Sequence, residues 1–181
     1  MATGVVALSF AKRSEEDEPG PVNIKLARAT AAIVDDLTSM GQFTILITQW
    51  EVAKKLTADN EPTGYVVTPQ DASIKPNGQR YLESEDVLSR AYDEFRKYNI
   101  DEVIVVANKF LHLQAVQKSV RSAGFTVIKT SLPWVGFDPS SENLQWWTKG
   151  PVRFIAYLAI LVVGKLTKHS FNGIGERRAP H

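Results

Sequence analysis

Short apolar runs, each separated from the next by a helix-like stretch, constrain the fold of this chain more than any other feature. They are rich in Val, Ile and Leu and nearly continuous in apolar character, as in strands that are covered on both faces. The runs span residues 5–9, 43–48, 65–67, 103–107 and 125–128. Strands that alternate with helices favour a parallel sheet between two helical layers. We therefore predict an α/β, Rossmann-like three-layer sandwich with a mainly parallel sheet of four to five strands.

The helical stretches show apolar residues at spacings of three and four, which indicates one buried face. The stretch 24–40 ends at Gly41, a residue type common just after a helix. In the stretch 84–98 we predict Ser84 as the N-cap, followed by carboxylates that favour a helix start. The other helices are predicted at residues 50–56, 111–123 and 151–166.

A chain of 181 residues is long enough for one domain with a sizeable core. We predict a βα core over residues 4–133, an aromatic loop and terminal helix over 134–166, and a polar tail over 167–181. Trp146 and Trp147 are expected to pack the terminal helix onto the rest of the domain.

Charge and composition exclude several classes of function. The chain has 21 Lys and Arg against 20 Asp and Glu, so no overall field attracts nucleic acid. It has no cysteine, which excludes thiolate catalysis and disulfides, and three histidines do not favour a metal site. The apolar run 154–164 is shorter than the roughly 20 residues that cross a bilayer, so a buried or docking helix is preferred over an interfacial membrane helix. We predict a cytoplasmic protein without a nucleic-acid or membrane partner.

Three common catalytic and nucleotide-binding patterns are missing from the sequence. Neither GxGxxG nor GxxxxGK[ST] occurs, and no serine lies in a GxSxG turn. Their absence disfavours classical nucleotide hydrolysis and serine hydrolysis.

In an open parallel sheet, ligands bind outside the carboxyl ends of the strands. Several side chains follow the predicted strands directly and belong at that edge. As ligand-binding residues we predict Ser9, Phe10, Thr48, Gln49, Trp50, Asn108 and Lys109.

One segment is specific enough to suggest a family. After the strand at 103–107 come Asn108 and Lys109, then Phe110, His112 and Ala115, and the helix ends in Ala-Gly-Phe at 123–125. In these features the stretch 101–128 resembles the SanA/ElyC/YdcF family of bacterial domains. The resemblance implies a Rossmann-like fold and a polar or anionic ligand, with nucleotide-like and adenosyl compounds among the ligand or cofactor classes. It also adds Arg28 and Glu85 to the predicted ligand-binding residues, since the family has an arginine and an Asn/Thr/Glu element there.

The chain departs from the family pattern at three places near the predicted crevice. Ser9 and Phe10 stand where the family has glycine, Thr48 to Trp50 where it has Ser-Gly-Gly, and Gln114 where it has arginine. Those glycines allow close approach of a ligand, and arginine binds anions in a bidentate manner. The chain is therefore interpreted as a diverged member with an altered pocket.

His112 and Glu51 are the predicted catalytic residues. His112 begins a helix, where unpaired N–H groups favour anions and a neutral imidazole that can accept a proton. Glu51 is the carboxylate best placed to act as a second base. Each candidate has a structural alternative: local packing or capping for His112, core packing for Trp50, a surface position for Arg28 and Lys109, and dipole compensation for Glu85.

Together these observations predict a small-molecule enzyme of the SanA/ElyC/YdcF-like type. It would act on a polar or anionic metabolite by proton or group transfer, with no metal. The alternative is a non-catalytic binding or assembly protein with a degenerate pocket, which would form a homodimer through its aromatic and apolar C-terminal region.

Overall fold

The computed structural model describes residues 2–12, 18–56, 64–72, 82–109 and 112–166. The predicted polar tail lies outside these residues. The strands are β1 (Ala2–Ala7), β2 (Phe43–Gln49), β3 (Gly64–Val67), β4 (Glu102–Val106) and β5 (Thr126–Ile128). The helices are α1 (Pro21–Ser39), α2 (Trp50–Ala53), α3 (Ser84–Lys97), α4 (His112–Ser122) and α5 (Pro151–Leu166).

The five strands form one parallel sheet in the order β3-β2-β1-β4-β5. Ala7 at the end of β1 lies level with Thr48 in β2 and Val106 in β4. The chain runs outward from β1 to β3 and then returns to β4 on the other side of β1. The order thus reverses between β1 and β4, where open α/β sheets leave a crevice for ligands. The predicted Rossmann-like three-layer fold is confirmed, with all five strands parallel.

Two hydrophobic cores cover the two faces of the sheet. Val5 and Ala7 of β1 face a core that α1, the segment after β5 and Phe154 of α5 complete. Val6 faces the opposite core, which is completed by α3 and α4. Successive strand residues point to opposite faces, so this alternation places helices on both sides.

Strand β1 begins three residues earlier than predicted, and it includes a glycine against which helix α3 packs. The prediction of 5–9 is corrected to Ala2–Ala7. A Cβ atom built on Gly4 would lie 2.8 Å from the ring of Phe95 in α3, so any larger residue at this position would displace that ring. The ring of Phe95 therefore packs directly on the backbone of Gly4. Glycine weakens a strand interior, and this packing supports it there.

The predicted N-cap of α3 is wrong by one residue. Glu83 is the N-cap, and it forms a reciprocal capping box with Asp86, whose Oδ2 accepts the Glu83 backbone N–H at 2.9 Å. Ser84 is the first helical residue, and its hydroxyl is not used by this cap.

The C-terminal segment docks through its aromatic side chains, as predicted. Trp147 stacks on Tyr157 of α5 with ring centroids 4.8 Å apart, and Trp146 meets the same ring edge-on at 6.3 Å.

Among the described residues, no helix combines the length and the apolar character needed to cross a membrane.

Candidate functional site

Backbone–side-chain hydrogen bonds join the loops at the carboxyl ends of β1, β2 and β4. The Ser9 backbone N–H donates to Gln49 Oε1 at 3.1 Å, which ties the end of β1 to the end of β2. Asn108 after β4 is fully buried, and its Nδ2 donates to the Gly136 carbonyl at 2.9 Å. The segments after three strands and the loop after β5 therefore meet at one edge of the sheet.

Helix α1 holds the loop after β1 through one amide side chain. Asn23 is buried; its Oδ1 accepts the Phe10 backbone N–H at 2.8 Å, and its Nδ2 donates to the Ala11 carbonyl at 3.0 Å. The two polar groups of the Asn23 side chain thus bind the backbone of two consecutive residues, Phe10 and Ala11. This fixes the direction in which the Phe10 side chain leaves the sheet.

Ala11 lies in the left-handed region with φ of 77°, which costs an alanine roughly 1 kcal/mol. We expect Ala11→Gly to leave stability unchanged or raise it by up to about 0.5 kcal/mol, because relief of this cost offsets the greater freedom of the unfolded glycine. Urea denaturation of the two proteins measures the difference. A loss above 1 kcal/mol would show that the backbone does not adopt this conformation.

The same loop is bound to the C-terminal segment. The Lys12 backbone N–H donates to Gln145 Oε1 at 3.2 Å, and its carbonyl accepts the Leu144 N–H at 2.8 Å. Behind these contacts, Asn143 Nδ2 donates to Thr148 Oγ1 at 2.8 Å in a buried polar network. The C-terminal segment is therefore fixed against the loop after β1 by hydrogen bonds as well as by ring packing.

Phe10 lies at the centre of an aromatic cluster in the core on the α1 face of the sheet. Its ring centroid lies 5.6 Å from that of Trp147, 6.1 Å from Phe137, 6.2 Å from Phe154 and 6.2 Å from His112. Sequence reasoning did not assign the three partners after β5 to the site. The contacts join residues more than 120 positions apart, which no local pattern reveals.

His112, the first residue of α4, meets Ser84, the first residue of α3. Ser84 Oγ lies 3.1 Å from His112 Nε2, and His112 Nδ1 is enclosed without a hydrogen-bond partner among the described residues. Burial lowers the pKa of His112 from 6.5 to about 4, so the imidazole is neutral at pH 7. A neutral imidazole was predicted, but from the helix start; the cause that the structure gives is burial.

Glu51, the second predicted catalytic residue, lies in the first turn of α2 and is only 2% exposed. It follows β2, and β1 lies between β2 and β4. Strands of a sheet are about 4.8 Å apart, so β2 and β4, the strands that precede Glu51 and His112, are separated by roughly 10 Å. Glu51 and His112 therefore follow strands that lie on opposite sides of β1.

The other predicted site residues fall into two groups by exposure. Phe10, Thr48, Gln49, Trp50 and Asn108 are buried, and Ser9 is half-buried. Arg28, Glu85 and Lys109 are exposed, and Arg28 lies about one and a half turns along α1 from Asn23. No cluster of three or more potential metal ligands occurs in the part of the chain that the structure describes.

Neither a family model, nor a curated protein, nor a solved structure matches this chain. The SanA/ElyC/YdcF resemblance of the stretch 101–128 therefore stays a prediction from the sequence. At the carboxyl edge the described residues bring together a neutral imidazole, a hydroxyl group and a cluster of aromatic rings.

Proposed function

We propose that this chain is a small-molecule enzyme of the SanA/ElyC/YdcF-like type. It acts on a polar or anionic metabolite at the carboxyl edge of the sheet, beside the β1–β4 switch point, by proton or group transfer. The observation that carries the proposal is the pairing of a neutral, enclosed imidazole with a hydroxyl group where two helices begin. Perturbed titratable groups are concentrated at functional sites because chemistry requires them there.

The surroundings of this pair favour an anionic ligand that carries a ring. The first turns of α3 and α4 present N–H groups and positive dipole ends to the edge. Phe10 packs beside His112 but is only 2% exposed, so the ring that we propose for stacking is that of half-buried Trp147, which packs against Phe10. A nucleotide-like or adenosyl compound combines a ring for stacking with polar or charged groups for the helix starts, and the resemblance implies the same class.

In this proposal His112 accepts a proton and Glu51 supplies a second basic group across the end of β1. The imidazole is neutral at pH 7 and ready to accept, and a bound anion would raise its pKa by stabilising the charged form. The proposed ligand-binding residues remain those predicted from the sequence: Ser9, Phe10, Thr48, Gln49, Trp50, Asn108, Lys109, Arg28 and Glu85.

A thermal-shift screen with nucleotides, adenosyl compounds and sugar phosphates tests the proposal. A compound at 100 times its Kd stabilises the folded protein by about 2.7 kcal/mol. We expect at least one compound to raise the Tm, and the rise to shrink in His112→Gln. The control Lys118→Ala, at an exposed position of the same helix, should respond as the wild type does. Equal shifts in both variants would contradict a role for His112.

A second candidate function, assembly through α5, is favoured by the exposed apolar side chains near the C-terminal segment. Val152 is 78% exposed, Ile155 is 59% exposed and Trp134 is 56% exposed. Exposed apolar patches of this kind mark interaction surfaces. The partner that we propose is a second copy of this chain.

Light scattering tests this second candidate. The wild-type protein is expected to have the mass of a dimer, and Val152→Asp combined with Ile155→Asp to have that of a monomer. Arg153→Ala, an exposed change in the same turn, should leave the mass unchanged. A wild-type monomer across the micromolar range would contradict assembly.

A further inference from the structure

The two ring nitrogen atoms of His112 have different surroundings. Nδ1 is enclosed and has no hydrogen-bond partner among the described residues. Nε2 lies 3.1 Å from Ser84 Oγ. Among the described residues, the polar group that lies at Nε2 is therefore the hydroxyl of Ser84.

The start of α3 leaves the Ser84 hydroxyl available for this contact. The capping box between Glu83 and Asp86 performs the capping, and it fixes the first turn without using Ser84 Oγ. Ser84 is half-buried, so part of it still faces solvent. The backbone N–H groups of Ser84 and Glu85, which the capping box does not use, can stabilise negative charge that develops beside the hydroxyl.

From this geometry we infer that Ser84 is the nucleophile of the site and His112 Nε2 its general base. The inference rests on the proposed function and narrows its substrate class to acyl or phosphoryl esters. A serine hydroxyl within hydrogen-bond distance of a neutral imidazole is the arrangement that activates oxygen for attack. The proposed nucleophile does not lie in a GxSxG turn, which the sequence lacks. It lies at the start of α3, a helix that follows β3 in the chain.

The transfer step balances within this pair and the ester. Ser84 Oγ forms a bond to the carbonyl carbon or phosphorus, and its proton moves to the lone pair of His112 Nε2. The bond to the leaving group breaks, and that group takes the electron pair and then the proton from Nε2. Water attacks the ester of Ser84 in the same way, which releases the acid and restores the hydroxyl.

The surroundings of Nδ1 predict a slow reaction. When Nε2 accepts a proton, the other ring proton lies on Nδ1, where the described residues provide no carboxylate to receive it. Loss of that carboxylate in serine proteases lowers kcat by about 10⁴-fold. We therefore expect modification of Ser84 over minutes to hours rather than seconds.

A fluorophosphonate probe tests the inference without knowledge of the natural substrate. Attack by Ser84 forms a P–O bond and expels fluoride, so mass spectrometry should locate one adduct on Ser84. We expect Ser84→Ala and His112→Gln to lose at least 90% of the labelling. Ser119→Ala should keep it, because Ser119 is an exposed serine bonded instead to Tyr92. The labelling rate should rise with pH to half its maximum near pH 4 and stay level from pH 6 to 8.

A second variant shows whether a missing adduct reflects burial of position 84 or a serine that does not react. Because the chain has no cysteine, Ser84→Cys introduces a single thiol, which we expect to react with iodoacetamide at least as fast as that of Ser119→Cys. An unreactive thiol at position 84, or labelling that survives in His112→Gln, would overturn the inference. Absence of an adduct on Ser84 in a protein whose Tm still rises with a screened compound would overturn it as well, while leaving the proposed binding function intact.

Discussion

Acidification from pH 7 to pH 4 is expected to destabilise the wild-type protein by about 3 kcal/mol more than it destabilises His112→Gln. The reason is the difference between the pKa of His112 in the unfolded chain, 6.5, and its value of about 4 in the folded protein. Between these two values the unfolded state binds more protons than the folded state. The contribution of His112 to the free energy of unfolding is therefore complete above about pH 6.5 and is lost as the pH falls toward 4.

Urea denaturation at several pH values between 7 and 4 provides this comparison. Both proteins contain the same carboxylates and the same histidines at 169 and 181, so their difference isolates His112. Parallel stability curves would show that His112 titrates near 6.5 in the folded protein and is not enclosed. The same result would remove the neutral, sheltered imidazole on which the proposed chemistry depends.

Asn23→Ala is expected to lower the free energy of unfolding by about 3 kcal/mol. The change leaves the buried Phe10 N–H and Ala11 carbonyl without their partners, and each such group costs roughly 1–3 kcal/mol. Loss of this clamp also frees the loop that holds Phe10 against His112. We therefore expect weaker binding of any ligand that stabilises the wild-type protein.

The matched control is Lys25→Ala, an exposed change on the same turn of α1. Exposed substitutions alter stability by less than about 0.5 kcal/mol, so this variant should denature at nearly the wild-type urea concentration. If Asn23→Ala were equally mild, the two hydrogen bonds would not hold the loop. Phe10 would then lack the fixed position that the site requires.

The fold could be predicted because periodicity is a local property of the sequence. All five strands and five helices described above were expected, with bounds that differ by a few residues. Where bounds differ, tertiary contacts explain the difference. Phe95 packs over Gly4 within β1, and the capping box of Glu83 with Asp86 places the N-cap of α3 at Glu83, one residue before Ser84.

The site could be predicted only as far as the carboxyl edge. Apolar runs identify the strands, but not the order β3-β2-β1-β4-β5 that brings the start of α3 beside the start of α4. The contact between Ser84 and His112 depends on that order, since 28 residues separate the two. The aromatic partners of Phe10 come from a loop without periodicity, so their packing could not be read from the sequence.

The most direct test of the whole account is NMR mapping of the compound that gives the largest thermal shift. On addition of that compound, we predict the largest amide shift changes at residues 8–12, 84–86, 108–109 and 112–113, around the ends of β1 and β4 and the starts of α3 and α4. The amino ends of the same strands, including residues 41–43 and 98–102, should remain unchanged. Largest changes at those amino ends, or no change with any compound of the panel, would contradict a ligand site at the switch point.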